Sequence, residues 1–537
     1  MFYGFANDDW HIKKNFSINL GLRYEFTQVP LSQRKWQPLN AISNVPGLIT
    51  FGAPKAQKKN FLPRIGFAWS PGSEGNTSIR GGYSMSTDVL FDNLGLLSAA
   101  PQVQQTCDAA AGTPPEDMTA TCFWSDPTTD TGGFLANGGL PFSATIPPIA
   151  TAEEARAVTS GYIPDQKLPY SETWTLGIQH IFAKKYTVEV RYVGTRGIHL
   201  PVQNRLNRQS RTSATEFLPT YLSDPGQAAL DALTNTYNQI NAKPNFVPAY
   251  ADAGFVGANV LGFMPYGASK YHGLQTQVNR SFTNGLQFQA AWTWSHLMDD
   301  STAEVFSTYL TPRREQDFQC VKCDWSNSAL DRRHRFTLQL MYDVPFLKHD
   351  SNWFKKNVVG NWEVGTLYTF QSPEFATVQS GVDVNGNGDS AGDRTIINPA
   401  GVHGTGTGVT SLFNTAGDRV AYLATDPTAY YIATGKYGMA TARRNTLAMP
   451  HTNNIDFSVV KRFNITESQN FEFHAQALNV LNHAQYLPGY ISDVQPQGFT
   501  GSDVLTMLIP GTQSFNQPKS VFTNHPRQLV LVLKYNF

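Results

Sequence analysis

One seven-residue run carries the clearest ligand-binding pattern in the chain. Asp383-Val384-Asn385-Gly386-Asn387-Gly388-Asp389 places an oxygen-bearing side chain at every second position, with Gly388 sixth. This is the first half of a calcium loop of the type D-x-[DN]-x-[DN]-G, in which the glycine permits the sharp turn around the ion. The second half departs from that pattern. Arg394 stands at the twelfth position in place of a bidentate Glu, and Asp393 precedes it. Two readings follow. In one, Asp383, Asn385, Asn387, Asp389 and Asp393 form a loose Ca²⁺ site that pins a long loop, with a Kd on the order of 10⁻⁴–10⁻³ M, as in extracellular modules. In the other, the run is an Asn/Gly/Asp turn cluster, which this composition favours without any ion.

Four cysteines sit in two close pairs, Cys107/Cys122 and Cys320/Cys323. The pairing suits local disulfides in an oxidising compartment. Free thiols or one zinc site are the alternatives, although neither pair has a second Cys-His set at finger spacing. No nucleophile elbow, phosphate loop, zinc-protease helix or dinucleotide fingerprint occurs, so no cofactor is required. Glu189, Glu472 and His474 are acid–base residue types, but a wet protein wall accounts for them without catalysis, and no enzyme is expected. Lys+Arg and Asp+Glu are both 41, so the net charge makes no case for nucleic acid. The run Asp331-Arg332-Arg333-His334-Arg335 is expected at a strand mouth, binding loops or lipid phosphates.

The elements that must carry these residues are strands. Phe16, Ile18, Leu20, Leu22, Tyr24 and Phe26 alternate with Ser17, Asn19, Gly21, Arg23 and Glu25. Leu529, Leu531, Leu533, Tyr535 and Phe537 alternate likewise with Gln528, Val530, Val532, Lys534 and Asn536. This period of two marks strands with one apolar and one polar face. Thirteen such segments are expected, at 2–12, 16–26, 61–70, 77–88, 170–182, 186–198, 269–282, 285–297, 332–343, 362–379, 455–464, 470–481 and 528–537. Segment 269–282 is the least regular, because Gln275 and Gln277 share a face with Tyr271. Only 15% of residues are charged, against roughly 25% in a typical soluble domain. No run of ~18 apolar residues makes a transmembrane helix.

The connections alternate strictly. Short links at 11–15, 71–76, 183–185, 283–284, 345–361 and 465–469 take turns with long ones at 27–60, 89–169, 199–268, 298–331, 380–454 and 483–527. Outer-membrane barrels show this asymmetry, with short periplasmic turns and long extracellular loops. The link around Trp353 is long for a turn and is expected to hold an interfacial segment. Short helices are expected at 152–158 and 225–235, and loops 89–169 and 199–268 as the least ordered parts. A strand crosses lipid only in a closed barrel, since no backbone group can go unpaired there. Trp10, Tyr24, Trp69, Trp174, Trp292, Trp294, Trp362 and Tyr535 would then form interfacial girdles. Arg23, Glu25, Arg64, Arg80, Glu189, Arg191, Arg335, Asp343, Glu472, His474 and Lys534 would line a polar lumen. The expected fold is therefore an all-β, antiparallel transmembrane β-barrel in the outer membrane of a Gram-negative bacterium.

Several stretches resemble TonB-dependent outer-membrane transporters of the Oar-like branch, relatives of SusC-type transporters. They are Asn7-Asp8-Asp9-Trp10 with Asn19-Leu20-Gly21-Leu22-Arg23-Tyr24-Glu25, Pro63-Arg64-Ile65-Gly66-Phe67-Ala68-Trp69, Ile79-Arg80-Gly81-Gly82-Tyr83 and Tyr170-Ser171-Glu172-Thr173-Trp174-Thr175-Leu176-Gly177-Ile178-Gln179. Tyr271-His272-Gly273-Leu274-Gln275, Arg444-Asn445-Thr446-Leu447, Ala477-Leu478-Asn479-Val480-Leu481-Asn482-His483 and the terminal Phe537 extend the likeness. The resemblance implies a barrel of about 22 strands around an N-terminal plug, energised through a TonB box. It also implies that Phe537 is an assembly signal read by the barrel-assembly machinery. The alternation accounts for about thirteen of those strands. Residues 1–537 are thus expected to be the C-terminal part of one barrel domain, with plug and TonB box absent from this chain. Met1-Phe2-Tyr3-Gly4-Phe5 opens inside an alternating pattern without a basic n-region, h-region or cleavage site, so the beginning of an exported protein is expected to lie outside this chain. The expected activity is passage of a large solute, of the oligosaccharide or peptide class, with outer-membrane lipid around the barrel and a surface lipoprotein as a further partner. Two alternatives are a surface structural or adhesion barrel acting through its loops, and a soluble β-rich glycan-binding or hydrolytic protein.

Overall fold

The structure is a computed structural model describing residues 2–89, 151–301, 310, 312, 314–348, 350–466, 469–486, 506–522 and 526–537. Thirteen antiparallel strands follow one another in a single meander. They are β1 (Phe2–Lys13), β2 (Phe16–Phe26), β3 (Phe61–Trp69), β4 (Thr77–Thr87), β5 (Tyr170–Phe182), β6 (Tyr186–Arg205) and β7 (Leu261–Thr283). The remainder are β8 (Leu286–Asp299), β9 (His334–Asp343), β10 (Trp362–Gln371), β11 (Thr452–Asn464), β12 (Asn470–Leu478) and β13 (Gln528–Asn536). β1 and β13 each keep one unpaired edge, so the sheet is open. No helix among the described residues is long and apolar enough to cross a membrane.

Register explains the two faces. Ile18, Phe67 and Gly81 lie in one row with Leu176 and Tyr192, because each pair is in register across its ladder. Leu22, Ile65, Leu176 and Leu531 on this face are 48%, 52%, 53% and 67% exposed. Large aliphatic side chains exposed in rows along a whole sheet need an apolar solvent. All eight girdle aromatics fall on the same side by register. Segment 269–282 is part of the longest strand, paired along both edges to β6 and β8. Its glutamines share the inward face with Tyr271, so the irregularity is only a polar wall. The expected strand 362–379 ends at Gln371, where Ser372-Pro373 follows. Proline has no N–H to continue a ladder, and the chain turns into the loops.

At one end the links are tight. Thr283-Asn284-Gly285-Leu286 turns with φ of 51° at Asn284 and 77° at Gly285, the left-handed pair of a type I′ hairpin. A Cβ on Gly285 would also come within 2.4 Å of the Asp343 carbonyl oxygen. The long 344–361 link holds a short π-helical turn, Lys355–Val359. Phe346, Trp353 and Phe354 stand exposed on this link, and Trp353 Nε1 donates to Asn464 O at 3.3 Å.

At the other end the long loops pack on one another, and most of the buried apolar residues lie there. Ile49, Phe51, Phe255 and Val260 form one cluster, Leu218, Ile240, Tyr422 and Tyr437 a second, and Ala376, Val378, Met507, Leu508 and Phe515 part of a third. β6 and β7 stay paired out to Arg205↔Leu261, a ribbon that rises into this cap. Loop 199–268 therefore differs from the expectation of least order: its helices Gln227–Asp231, Tyr237–Asn241 and Pro248–Asp252 carry Leu230 and Ile240 into buried positions. Ala152–Val158 is helical as expected, with a capping box made by Thr151 and Glu154.

Candidate functional site

The inward face of the sheet is polar and carries several ion pairs. Arg462 on β11 bridges Glu363 on β10 at 2.9 Å and Glu472 on β12 at 3.0 Å, and Glu472 also meets His474 Nε2 at 3.1 Å. Arg23 pairs with Glu25 and Arg191 with Glu189. A 170 Å³ depression lies on this wall among Ser78, Arg80, Gly82, Thr175, Gln179, Glu189 and Arg191. Glu189, Glu472 and His474, the residues of acid–base type, are thus ion-paired wall residues.

Over the wall, three long loops meet at the 383–394 segment. Asp383 accepts from the backbone N–H groups of Asn387 and Gly388 at 3.1 and 3.0 Å. Asn385 Oδ1 accepts from Asn387 N, Asn387 Oδ1 from Asp389 N, and the Asp393 carboxylate from Val384 N. Arg314 donates to Asp389 through Nη2 at 3.0 Å, and Arg205 approaches the same carboxylate at 3.2 Å. Arg394 bridges Gln316 at 2.7 Å and Asp324 at 2.6 Å. The oxygens of Asp383, Asn385 and Asn387 accept from the turn's own backbone, guanidinium groups pair with Asp389, Asp393 Oδ1 is buried without a partner, and the described residues contain no group of three or more His, Cys, Asp or Glu able to hold a metal. Of the two readings of this run, the geometry supports the turn cluster.

A second buried polar group ties the cap to the sheet. Arg444 reaches Asp299 at the end of β8 and the Asp324 carbonyl oxygen, and Arg332 pairs with Glu374 at 2.7 Å. Arg333 pairs with Asp331 at 2.8 Å, so two of the three arginines of the basic run, Arg332 and Arg333, serve the loops, while Arg335 lies on β9. Burial pushes the Asp300 carboxyl up to about 6, against two N–H contacts from Ala268. Burial, reinforced by Asp324 and Asp300, pushes Glu315 up to about 8. Neither Glu315 carboxylate oxygen bonds to another described residue. Burial likewise raises Asp393 and Glu374.

Cys320 and Cys323 are joined by a disulfide within the 314–324 segment. A 490 Å³ cavity opens between this segment and the ribbon, lined by Asn204, Leu206, Tyr266, Phe318 and Lys322. Cys107 and Cys122 lie outside the described residues. Phe537 stacks on Tyr535 with centroids 5.8 Å apart and is fully presented at the end of β13. The sequence reading missed Arg205, Arg314 and Glu315. The charge-rich stretch Arg313-Arg314-Glu315 hinted at the last two but has no period that would assign a face, and Arg205 carried no signal.

A strand meander with an apolar outer face, a polar inner face, tight turns at one end and packed loops at the other is the wall of a transmembrane β-barrel. The chain belongs to the outer membrane beta barrel domain family, whose model matches residues 1–521, and its place is the outer membrane. Nothing among curated proteins matches it. Similar solved structures include the outer membrane transporter YddB from Escherichia coli, at 10% identity over 98% of this chain and 43% of that one, with a TM-score of 0.41. The ferripyoverdine receptor of the Pseudomonas aeruginosa outer membrane is similar at 9% identity over 100% of this chain and 38% of that one (TM-score 0.38). For the FrpB iron transporter from Neisseria meningitidis the values are 10%, 100%, 45% and 0.39. The chain spans less than half the length of each of these chains.

Proposed function

We propose that this chain forms part of the wall and the outer cap of a transporter that passes a large solute, of the oligosaccharide or peptide class, across the outer membrane. The observation that carries this reading is the combination of an apolar outer face with a polar inner face carrying ion pairs under an ordered cap. A wall built only to anchor surface loops needs no wet interior. β1 and β13 are the first and last strands of a thirteen-strand meander, so they run in the same direction and cannot pair antiparallel with each other. Further strands complete the barrel around an N-terminal plug, and the TonB system drives the plug from the inner membrane. The barrel-assembly machinery reads Phe537, and a surface lipoprotein presents solute to the cap. No catalytic step is assigned to the protein.

The test is uptake of labelled oligosaccharide and peptide mixtures by cells with and without the protein, each with and without a working TonB system. Depletion of a solute class that requires both supports the reading. Uptake unchanged by removal of the protein, or surface retention without entry, overturns it in favour of adhesion.

A further inference from the structure

Four strands at the long-loop end of the outward face carry an ordered change in chemistry. Rows follow from register across β5, β6, β7 and β8. The row Ile178–Val190–Thr276–Trp292 is mainly apolar, and Leu176–Tyr192–Leu274–Trp294 stands one step further out. Next comes Trp174–Gly194–His272–His296, and then Glu172–Arg196–Lys270–Met298. His334 on β9 lies beside Trp294 and stacks on Trp292 at 5.9 Å. Aliphatic, aromatic and charged residues in that order mark the passage from hydrocarbon to headgroups.

The outermost row contains a conflict. Arg196 and Lys270 are cross-strand neighbours, both exposed, and like charges placed directly opposite repel. Neither has a carboxylate within salt-bridge distance among the described residues. Glu172, in register on the other side of Arg196, accepts from Tyr83 Oη at 3.3 Å. Below them the surface is built tightly. Trp174 lies across Gly194, where a Cβ would come within 2.2 Å of the indole, and Tyr192 Oη bonds His272 Nδ1 at 2.6 Å. A rigid aromatic floor beneath two adjacent cations without ion-pair partners at headgroup depth is complementary to a phosphate group whose acyl chains run down the wall.

We propose that Arg196 and Lys270, with Trp174, Tyr192, His272 and Trp294 beneath them, form a binding site for the phosphate of a phosphorylated outer-leaflet glycolipid. The phosphate bridges the two cations and removes their repulsion, while the acyl chains lie against Leu176 and Leu274. The site fixes one lipid to one sector of the wall and is independent of what the barrel carries.

The protein extracted from outer membranes is reconstituted in phosphatidylcholine bilayers containing either diphosphoryl lipid A or the same lipid stripped of phosphate. Lipid retained after detergent exchange is then counted by mass spectrometry. Two surface cations near a membrane correspond to about tenfold to thirtyfold in affinity, so retention should favour the phosphorylated lipid by at least about tenfold. Arg196→Gln with Lys270→Gln should bring that ratio to about one, whereas Lys534→Gln on the inward face should leave it unchanged. If the double variant loses its heat-modifiable band, Lys270→Gln alone and the two-lipid comparison on the unaltered protein still decide. Equal retention of both lipids, an unchanged ratio in the folded variants, or displacement of the lipid by millimolar inorganic phosphate overturns the proposal.

Discussion

Replacing Glu315 by Gln isolates the effect of one buried charge on the cap. Glu315 is 2% exposed and faces Asp300, Asp324 and Arg444. Its carboxyl titrates at about 8 in the folded protein against an ordinary 4.5, with burial the leading cause. A folded-state pKa above the unfolded value means that folding favours the protonated form. The stability from this group is complete below about pH 4.5, declines from there, and is fully lost once the pH passes about 8. At ~1.4 kcal/mol per pH unit, the whole span amounts to about 5 kcal/mol, and the part between pH 6 and pH 9 to about 2–3 kcal/mol. Asp300 titrates at about 6, and burial raises Asp393 and Glu374 in the same cap, so the share of Glu315 is read from the difference between the two proteins. Gln keeps the shape without the charge. Hydrogen exchange of amides 314–324, corrected for the intrinsic rate, should lose about two orders of magnitude of protection between pH 6 and pH 9 in the unaltered protein and far less in Glu315→Gln. Parallel loss in both proteins would show that the buried carboxyl does not control the cap.

Leu531→Arg should impair membrane insertion much more than Val532→Arg, since arginine on the lipid face near the midplane costs about 2–4 kcal/mol. Equal loss of the heat-modifiable band in both would contradict the assignment of faces. A cysteine at Lys184, in the tight turn between β5 and β6, should resist membrane-impermeant labelling on intact cells, while one at Ala416 in the cap should label readily. Comparable labelling would reverse the topology. Protease cleavage within 380–400 should proceed alike in millimolar Ca²⁺ and in chelator, and should accelerate in Arg314→Ala, where Asp389 loses one of its two guanidinium partners. Protection by Ca²⁺ in the unaltered protein would restore the cation reading.

The strands were legible because lipid imposes one rule on every crossing. Residues facing hydrocarbon are mainly apolar and each alternate residue is free to be polar, so the period is repeated thirteen times with little interference from loops. Boundaries were legible where local chemistry ends a ladder, as Asn284-Gly285 does by turning and Pro373 does by lacking an N–H. Segment 269–282 was harder because polarity on an inward face is no defect, yet it weakens the alternation on which detection depends. The cap obeys no such rule. Its helices and small clusters are stabilised by contacts between different loops, such as Tyr437 with Leu218 and Ile240, and no local period reports those partners.

The 383–394 segment shows how far a motif reaches by itself. Alternating Asp and Asn with glycine at the sixth position specifies a turn that directs side-chain oxygens back onto its own N–H groups, and this turn forms. What balances its carboxylates is not encoded in those residues. Arg314 acts from 75 residues away and Arg205 from 183 residues before Gly388, whose carbonyl oxygen it also takes at 2.8 Å. Asp383, Asp389 and Asp393 therefore sit in the field of Arg205, Arg208, Arg314 and Arg394. A divalent cation entering there would meet an Asp389 carboxylate already held by Arg205 and Arg314, and it would have to displace guanidinium hydrogen bonds that hold three loops together. The same local pattern binds calcium where acids surround it and serves as a junction where arginines do. The deciding quantity is the charge delivered by distant loops.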